Sequence, residues 1–233
     1  MIQSKRLEAI CDLVPDVDVV IDVGADHGYL EELLITSGKV KKVIATDISS
    51  KSLQKTQKRA EKLGISDKIE LIVADGLDFK SQSKSNFAVI AGIGGIETAS
   101  ILKRSLGKTK VNEFILLPVQ NQVYLREFLI DNGFVFLTDK TIFEKGKFYS
   151  IIHCKLSNLS NHNNKYFGIT DLSFPSEDFK RYIDRELKNL QFLDKINRDE
   201  KMQEKIAYKN MLKSLKENND ARDFKISRHW CKN

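Results

Sequence analysis

Five short apolar runs, four of them followed by an amphipathic stretch, constrain this chain more than any other feature. The runs are Val19–Val23, Lys42–Thr46, Ile69–Ala74, Phe87–Ala91 and Glu113–Leu117. The stretches after four of them, at 29–37, 50–63, 95–106 and 122–132, carry apolar residues at helical spacing. Alternating strands and helices with continuously apolar strands predict a parallel sheet covered on both faces. A leading helix over residues 3–13 is expected to stop at Val14-Pro15, because the residue before a proline is pushed out of the helical region. After the fifth run the pattern changes. Residues 134–143 and 147–156 are β-rich and joined by E-K-G-K, which predicts a hairpin turning at Gly146.

Residues 157–170 are polar and rich in Asn and Ser, the composition of a linker or surface loop. Beyond Pro175 the chain has neither Gly nor Pro. Ser176 is a candidate N-cap, with Glu177 and Asp178 in the first turn. Tyr182, Leu187, Leu190, Leu193 and Ile196 form one apolar stripe; Met202, Ile206, Met211 and Leu215 form another, with Asn197-Arg198-Asp199 as a break. Two helices in an antiparallel, coiled-coil-like hairpin are expected, with one long bent helix as the alternative. The expected organisation is a catalytic domain over 1–156, a linker over 157–175 and a helical appendage over 176–233.

The chemistry concentrates after the first strand, in I-D-V-G-A-D-H-G-Y-L. Asp22, Gly24, Asp26 and Gly28 stand between a strand and a helix, where glycines let backbone approach a ligand and the helix start offers free N–H groups. A dinucleotide-binding loop would carry glycine at Asp26; a carboxylate there repels a pyrophosphate and favours a cofactor without phosphates. Asp47, followed by Ile48, ends the second strand, where an acid can accept from both ribose hydroxyls. Asp75 and Gly76 end the third, where a carboxylate can accept from an adenine amino group. Ala91, Gly92 and Gly94 lie at the end of the fourth. Each acid alone could be a helix cap or turn residue. Together, in this order at one sheet edge, they predict a methyltransferase that uses S-adenosylmethionine.

The strings R-L-E-A-I, D-V-G-A-D-H-G-Y-L, A-T-D-I, A-D-G-L, A-G-I-G-G and L-L-P-V-Q-N-Q-V-Y-L-R give the chain a more specific likeness. It resembles the bacterial tRNA (adenine-22-N1)-methyltransferases, the TrmK family, whose strings read D-I-G-x-D-H-A-Y-L-P, A-G-M-G-G and L-Q-P-N at those places. The resemblance implies a seven-stranded Rossmann-like domain, a helical C-terminal appendage and methyl transfer to N1 of adenosine 22 in tRNA. Departures from the family pattern are Gly28 for Ala, Glu31 for Pro, Ile93 for Met, and Leu117 and Val119 beside Pro118. A methyltransferase acting on another RNA, a protein or a small molecule is the rival reading, as is an inactive RNA-binding protein on the same fold.

Methylating neutral adenine at N1 needs no strong base but yields a cation, so an anion nearby helps. Asp26 is the catalytic candidate, with helix capping as its other possible role. His27, Tyr29, Gly94, Pro118 and Asn121 are candidates for contacting the base, and Arg6 for meeting a phosphate. Net charge is +6, and residues 157–233 hold 16 Lys/Arg against 12 Asp/Glu. Arg181, Arg185, Lys188, Lys205 and Lys209 recur at helical spacing and are candidate tRNA-backbone contacts; an ordinary solvated helix face is the alternative. The three cysteines, Cys11, Cys154 and Cys231, match no zinc spacing or disulfide framework, so a reducing compartment is expected. The opening M-I-Q-S-K-R-L-E holds no signal region and no apolar run is long enough to span a membrane. The expectation is a cytoplasmic monomer that binds tRNA and neither metal nor membrane.

Overall fold

The computed structural model describes residues 4–157, 160–162, 164–196 and 207–219, the side chains of 191–196 excepted. The chain divides into two compact units, residues 1–170 and 171–233.

The first unit opens with α1 (Lys5–Leu13), capped by Ser4, whose Oγ accepts from the Leu7 N–H. Then follow β1 (Val17–Val23), α2 (Tyr29–Thr36), β2 (Val40–Asp47), α3 (Ser50–Leu63), β3 (Ile69–Val73), β4 (Phe87–Ala91), α4 (Gly95–Ser105), β5 (Glu113–Leu117), α5 (Gln122–Asp131), β6 (Phe134–Glu144) and β7 (Lys147–Leu156). All seven strands form one sheet in the order β3-β2-β1-β4-β5-β7-β6. The first five are mutually parallel, and β7 runs antiparallel to both β5 and β6. The Rossmann-like sheet and its closing hairpin are as expected. Lys145 and Gly146 both take positive φ, 48° and 79°, the backbone shape that a tight two-residue hairpin turn requires.

The period of two in the strands decides which helix lies on which face. Val20, Val43, Val89 and Ile115 pack with Ile10 of α1 and Leu30, Leu34 and Ile35 of α2. Ile21, Ile90, Phe114 and Leu116 point the other way and pack with Ala99 and Leu102 of α4 and Leu125 and Leu129 of α5. Each such fully buried aliphatic or aromatic side chain contributes about 1.5–3 kcal/mol before entropy is counted. The sheet order reverses between β1 and β4, which are neighbours although β2 and β3 lie between them in the chain. At such a switch point the loops after the two strands diverge and leave a crevice at their carboxyl ends.

The polar segment after β7 differs from its reading as a tether. The Asn161 amide side chain bridges the edge strand β6, accepting from the Phe136 N–H at 2.7 Å and donating to the Phe136 carbonyl at 2.9 Å. Phe167 is 1% exposed, and the His162 ring lies 2.9 Å from its carbonyl oxygen. Arg126, buried in α5, pairs with Asp139 through two nitrogens, at 2.7 and 3.0 Å, and donates to the Tyr166 carbonyl at 3.1 Å. Asn side chains that mimic a neighbouring strand read as loop residues in a sequence, yet they close the sheet edge. Described residues 160–170 thus belong to the first unit.

In the second unit α6 (Glu177–Ile196) buries Phe179, Ile183, Leu187 and Leu190 along one stripe. Residues 207–219 are helical. Tyr182 Oη lies 3.3 Å from Tyr208 Oη, and Lys216 Nζ lies 2.6 Å from Asp184 Oδ1. In one continuous straight helix Tyr182 and Tyr208 would be about 39 Å apart, so these two helical segments lie side by side. The expected break at 197–199, together with Lys205, Met202 and Ile206, lies outside the described residues. Among the described residues no helix is long and apolar enough to cross a membrane.

Candidate active site

A cavity of about 900 Å³ opens where the switch point predicts it, at the carboxyl edge of β1, β2 and β4. Asp22, Gly24, Asp47, Ile48, Asp75, Gly76, Ala91 and Gly92 all line it, as do Asp26, Arg6 and Tyr29. Strand ends and loops far apart in sequence are brought together because parallel strands all end at the same edge. The Gly24 N–H donates to the Thr46 carbonyl at 2.8 Å, so the first loop leaves the sheet hydrogen-bonded to β2. Asp47 Oδ1 accepts from the Ser49 N–H at 2.7 Å, at the start of α3. Ile48 is 75% exposed at the cavity wall, an apolar surface between the acids of the second and third strand ends. Asp75 is held from α4, where Arg104 Nη2 lies 2.8 Å from its Oδ1 and 3.7 Å from Glu97.

Other candidates stand elsewhere. Gly28 does not line the cavity. A Cβ there would lie 3.2 Å from the Thr56 Cα, so glycine at that place lets α2 pack against α3. His27, Gly94, Pro118 and Asn121 also lie off the cavity lining. His27 stacks on Tyr29 with ring centroids 5.7 Å apart, and the Arg59 guanidinium lies 4.1 Å over the Tyr29 ring. The Tyr29 ring therefore already has two planar neighbours. The loop after β4 is stitched to the loop after β5: the Gly95 N–H donates to the Gln120 carbonyl at 2.8 Å, and a Cβ on Gly95 would sit 2.3 Å from the Asn121 carbonyl oxygen. These two loops, with Gly94, Pro118 and Asn121, build one rigid wall beside the crevice.

Asp26 caps no helix. The N-cap of α2 is Gly28, which offers no side chain, and Asp26 is bound instead by Lys55 at 3.0 Å and His27 at 3.3 Å. Arg6 is not a solvated surface residue either. Its Nε lies 2.5 Å from Glu144 and its guanidinium 4.4 Å over Tyr149. In the second unit Arg181, Arg185 and Lys188 lie on the exposed side of α6, opposite its buried stripe, and Lys209 is half-buried.

Three charged residues of the cavity, Glu31, Glu97 and Lys145, were not among the site candidates; Glu31 stood out only as a departure from the family pattern. Glu31 had a signal. It precedes Leu34 and Ile35 by three and four residues, which places it on the buried stripe of α2. Lys145 reaches the cavity only because the hairpin folds over α1, from the far end of the domain sequence. The lining thus carries six carboxyls, of Asp22, Asp26, Glu31, Asp47, Asp75 and Glu97, against the cations Arg6 and Lys145. In a protein of net charge +6 this is an acidic cavity. It fits a cationic, hydroxyl-rich and amine-bearing ligand, and it disfavours a pyrophosphate. Among the described residues no group of three or more His, Cys, Asp or Glu could hold a metal ion.

An open parallel sheet closed by an antiparallel hairpin, with acids at its first three strand ends, defines a methyltransferase domain. The methyltransferase domain family matches residues 3–152, and the chain belongs to it. Its similarities within that family are to tRNA (adenine-22-N1)-methyltransferases, the likeness that the motif strings implied. A tRNA (adenine(22)-N(1))-methyltransferase of Bacillus subtilis is 29% identical over 150 residues, which cover 64% of this chain. The match spans 63% of that relative, slightly under two thirds of its length. A Streptococcus pneumoniae protein, a candidate tRNA (m1A22) methyltransferase, superposes with a TM-score of 0.79 at 29% identity, covering 93% of this chain and 100% of its own. The same protein in complex with S-adenosyl-L-methionine superposes with a TM-score of 0.78 over 92% of this chain and 100% of its own.

Proposed function

We propose that this protein transfers a methyl group from S-adenosylmethionine to N1 of adenosine 22 in tRNA. The acidic cavity at the switch point carries this reading, because it offers carboxylates to a cationic nucleoside cofactor at the places where the motifs predict them. Bound S-adenosylmethionine would supply an electrophilic methyl group on a sulfonium. Asp47 would accept from the ribose hydroxyls and Asp75 from the adenine amino group, with Ile48 against the adenine face. Hydrogen bonds to ionised acceptors are the stronger kind. The relatives named tRNA methyltransferases, and the neighbour crystallised with S-adenosyl-L-methionine, support the same reading.

Adenine N1 carries its own lone pair, so the chain need not remove a proton before transfer. Its residues have three tasks: to align the base, to exclude water and to lower the potential where positive charge develops. The cavity's excess of carboxyls does the last, with Asp26 at its mouth. Lys55 holds the Asp26 carboxylate in place and offsets part of its charge. Tyr29, backed by Arg59, and the wall formed by Gly94, Pro118 and Asn121 would flank an extruded base. Arg6, His27 and Lys145 would meet backbone phosphates. Arg181, Arg185, Lys188, Lys205 and Lys209 would hold tRNA away from the chemistry. The buried, unpaired Cys11 and Cys154 support a cytoplasmic setting, and the protein is read as a monomer that needs no metal.

The test is methylation of bulk unmodified bacterial tRNA with labelled S-adenosylmethionine, followed by mapping of the modified nucleotide. Label at N1 of adenosine 22 is expected. Label at another position would replace the substrate while leaving the cofactor, and no label in any RNA would overturn the reading.

A further inference from the structure

Helix α3 carries a line of charge that the scheme above does not use. Lys51, Lys55, Lys58 and Lys62 follow one another at intervals of four, three and four residues, and all are exposed. On a helix of 3.6 residues per turn they fall within an arc of roughly 60° and run about 16 Å along the axis. The buried Leu53, Thr56 and Ala60 lie on the opposite side. Glu61 is the one acid in the helix, and it stands beside the line, bound by Gln57 at 3.0 Å.

Helix stability does not account for this line. Like charges three and four residues apart repel, and Lys51 stands in the first turn, where the helix dipole disfavours a cation. An ordinary solvated face interleaves the two signs. Among the described residues no carboxylate pairs with Lys51, Lys58 or Lys62, whereas Lys41, Lys42 and Lys165 of the same unit each meet one. Lys55 gives the line its place. Its Nζ lies 3.0 Å from Asp26 Oδ1 at the cavity, and Ser49 and Ser52, at the start of the same helix, line that cavity. The line therefore begins at the site and leads away from it along α3. Its sign is opposite to that of the cavity. An acidic pocket repels phosphates, so a nucleotide that belongs to a polyanion needs cations outside the pocket to bring it there.

We propose that Lys51, Lys58 and Lys62 form a track for the phosphate backbone of the RNA substrate, carried by the catalytic unit and additional to the cations of the second unit. The inference rests on the reading of the protein as a tRNA methyltransferase. The track is long enough to follow several successive phosphates of one strand. Lysines are point charges on flexible stems, so they hold phosphates without reading bases. The track thus contributes affinity and leaves the methyl transfer itself alone. Lys55 and Arg59 are not part of it, because they hold Asp26 and cover Tyr29.

The experiment compares three full-length proteins: the unmodified chain, Lys51→Gln/Lys58→Gln/Lys62→Gln, and a control of equal charge loss, Lys84→Gln/Lys108→Gln/Lys110→Gln. The control lysines are also exposed, but they precede β4 and β5, at the sheet edge away from the cavity. Binding of an unmodified tRNA transcript is measured between about 50 and 200 mM salt. The α3 variant is expected to lose roughly tenfold in affinity, and its slope of log affinity against log salt should flatten by roughly 2–3, at 0.7–0.9 for each phosphate released. Its KM for tRNA should rise, while kcat at saturating tRNA and S-adenosylmethionine affinity hold. Its melting temperature should hold or rise, since self-repulsion along the helix is relieved. The control should keep both affinity and slope. An unchanged slope in the α3 variant, or equal losses in the two variants, overturns the track and leaves the methyltransferase reading standing. An unmodified chain that binds no RNA overturns that reading and the track with it.

Discussion

The Arg6 guanidinium on α1 lies 2.5 Å from the Glu144 carboxylate at the end of β6, and Ser4 Oγ donates to the same carboxylate at 3.0 Å. This pairing ties the first helix to the closing hairpin across 138 positions of sequence and forms one rim of the cavity. Burial alone would raise the Glu144 carboxyl; the hydrogen bonds from Arg6 and Ser4 outweigh it and hold the group below its ordinary value. A carboxyl held low in the fold stabilises above its unfolded value and loses that contribution as pH falls through its folded value.

Arg6→Ala is therefore expected to lower stability by roughly 1–3 kcal/mol at neutral pH, since a partly buried carboxylate is left short of donors. The loss should shrink as pH falls below the ordinary 4.5 and on through the lowered folded value of Glu144, where the carboxyl becomes protonated in both states. Denaturant melts at pH 7 and at successively lower pH below 4.5 check this.

Glu31 has the opposite sign. Its folded value, about 7, lies above the ordinary 4.5. Such a group makes its full contribution below about 4.5 and loses it as pH rises towards 7. Thermal melts of the free protein should therefore fall between these limits, and Glu31→Gln should flatten that part of the profile.

Asp47→Ala should weaken S-adenosylmethionine by roughly 2–3 kcal/mol, the scale of hydrogen bonds to a charged acceptor. Calorimetry reads the loss, and circular dichroism checks that α3, whose start Asp47 also holds, remains folded. Unchanged affinity would remove Asp47 from the ribose contacts.

Asp26→Asn keeps the shape and removes the charge. Turnover on tRNA should fall about tenfold, equivalent to ~1.4 kcal/mol of transition-state stabilisation, while cofactor and tRNA affinities hold. A lower melting temperature with normal specific activity would show that Asp26 serves only to organise the loop through Lys55 and His27.

A fragment ending at Thr170 should fold and bind S-adenosylmethionine yet lose most tRNA affinity and methylation. A fragment ending at Leu156 should be markedly less stable, because it removes Asn161 from the edge of β6, the Tyr166 carbonyl from Arg126 and the buried Phe167. Charge reversal at Arg181, Arg185, Lys188 and Lys209 should flatten the dependence of log affinity on log salt by roughly 0.7–0.9 for each phosphate that is no longer neutralised. Full activity in the Thr170 fragment would show that these charges are a solvated face.

The sequence by itself determined the sheet, its parallel core and the acids at its edge, because these depend on local periodicity and on residues that stand next to strand ends. Phe87–Ala91 and Ser50–Leu63 could be bounded to the residue, since an apolar run or an amphipathic stripe is a local signal. The position of Asp47 and Asp75 followed from topology alone, because every parallel strand delivers its last residue to the same edge. Only the tertiary structure decided what each polar group meets. Gly28 became a packing residue through Thr56 on another helix, Arg6 found Glu144, and Asn161 stitched itself to Phe136. Glu31 shows the reason most plainly. The apolar stripe of α2 puts Glu31 on the buried side, but only when α2 is laid on the sheet does its carboxyl come to line the same cavity as Asp22.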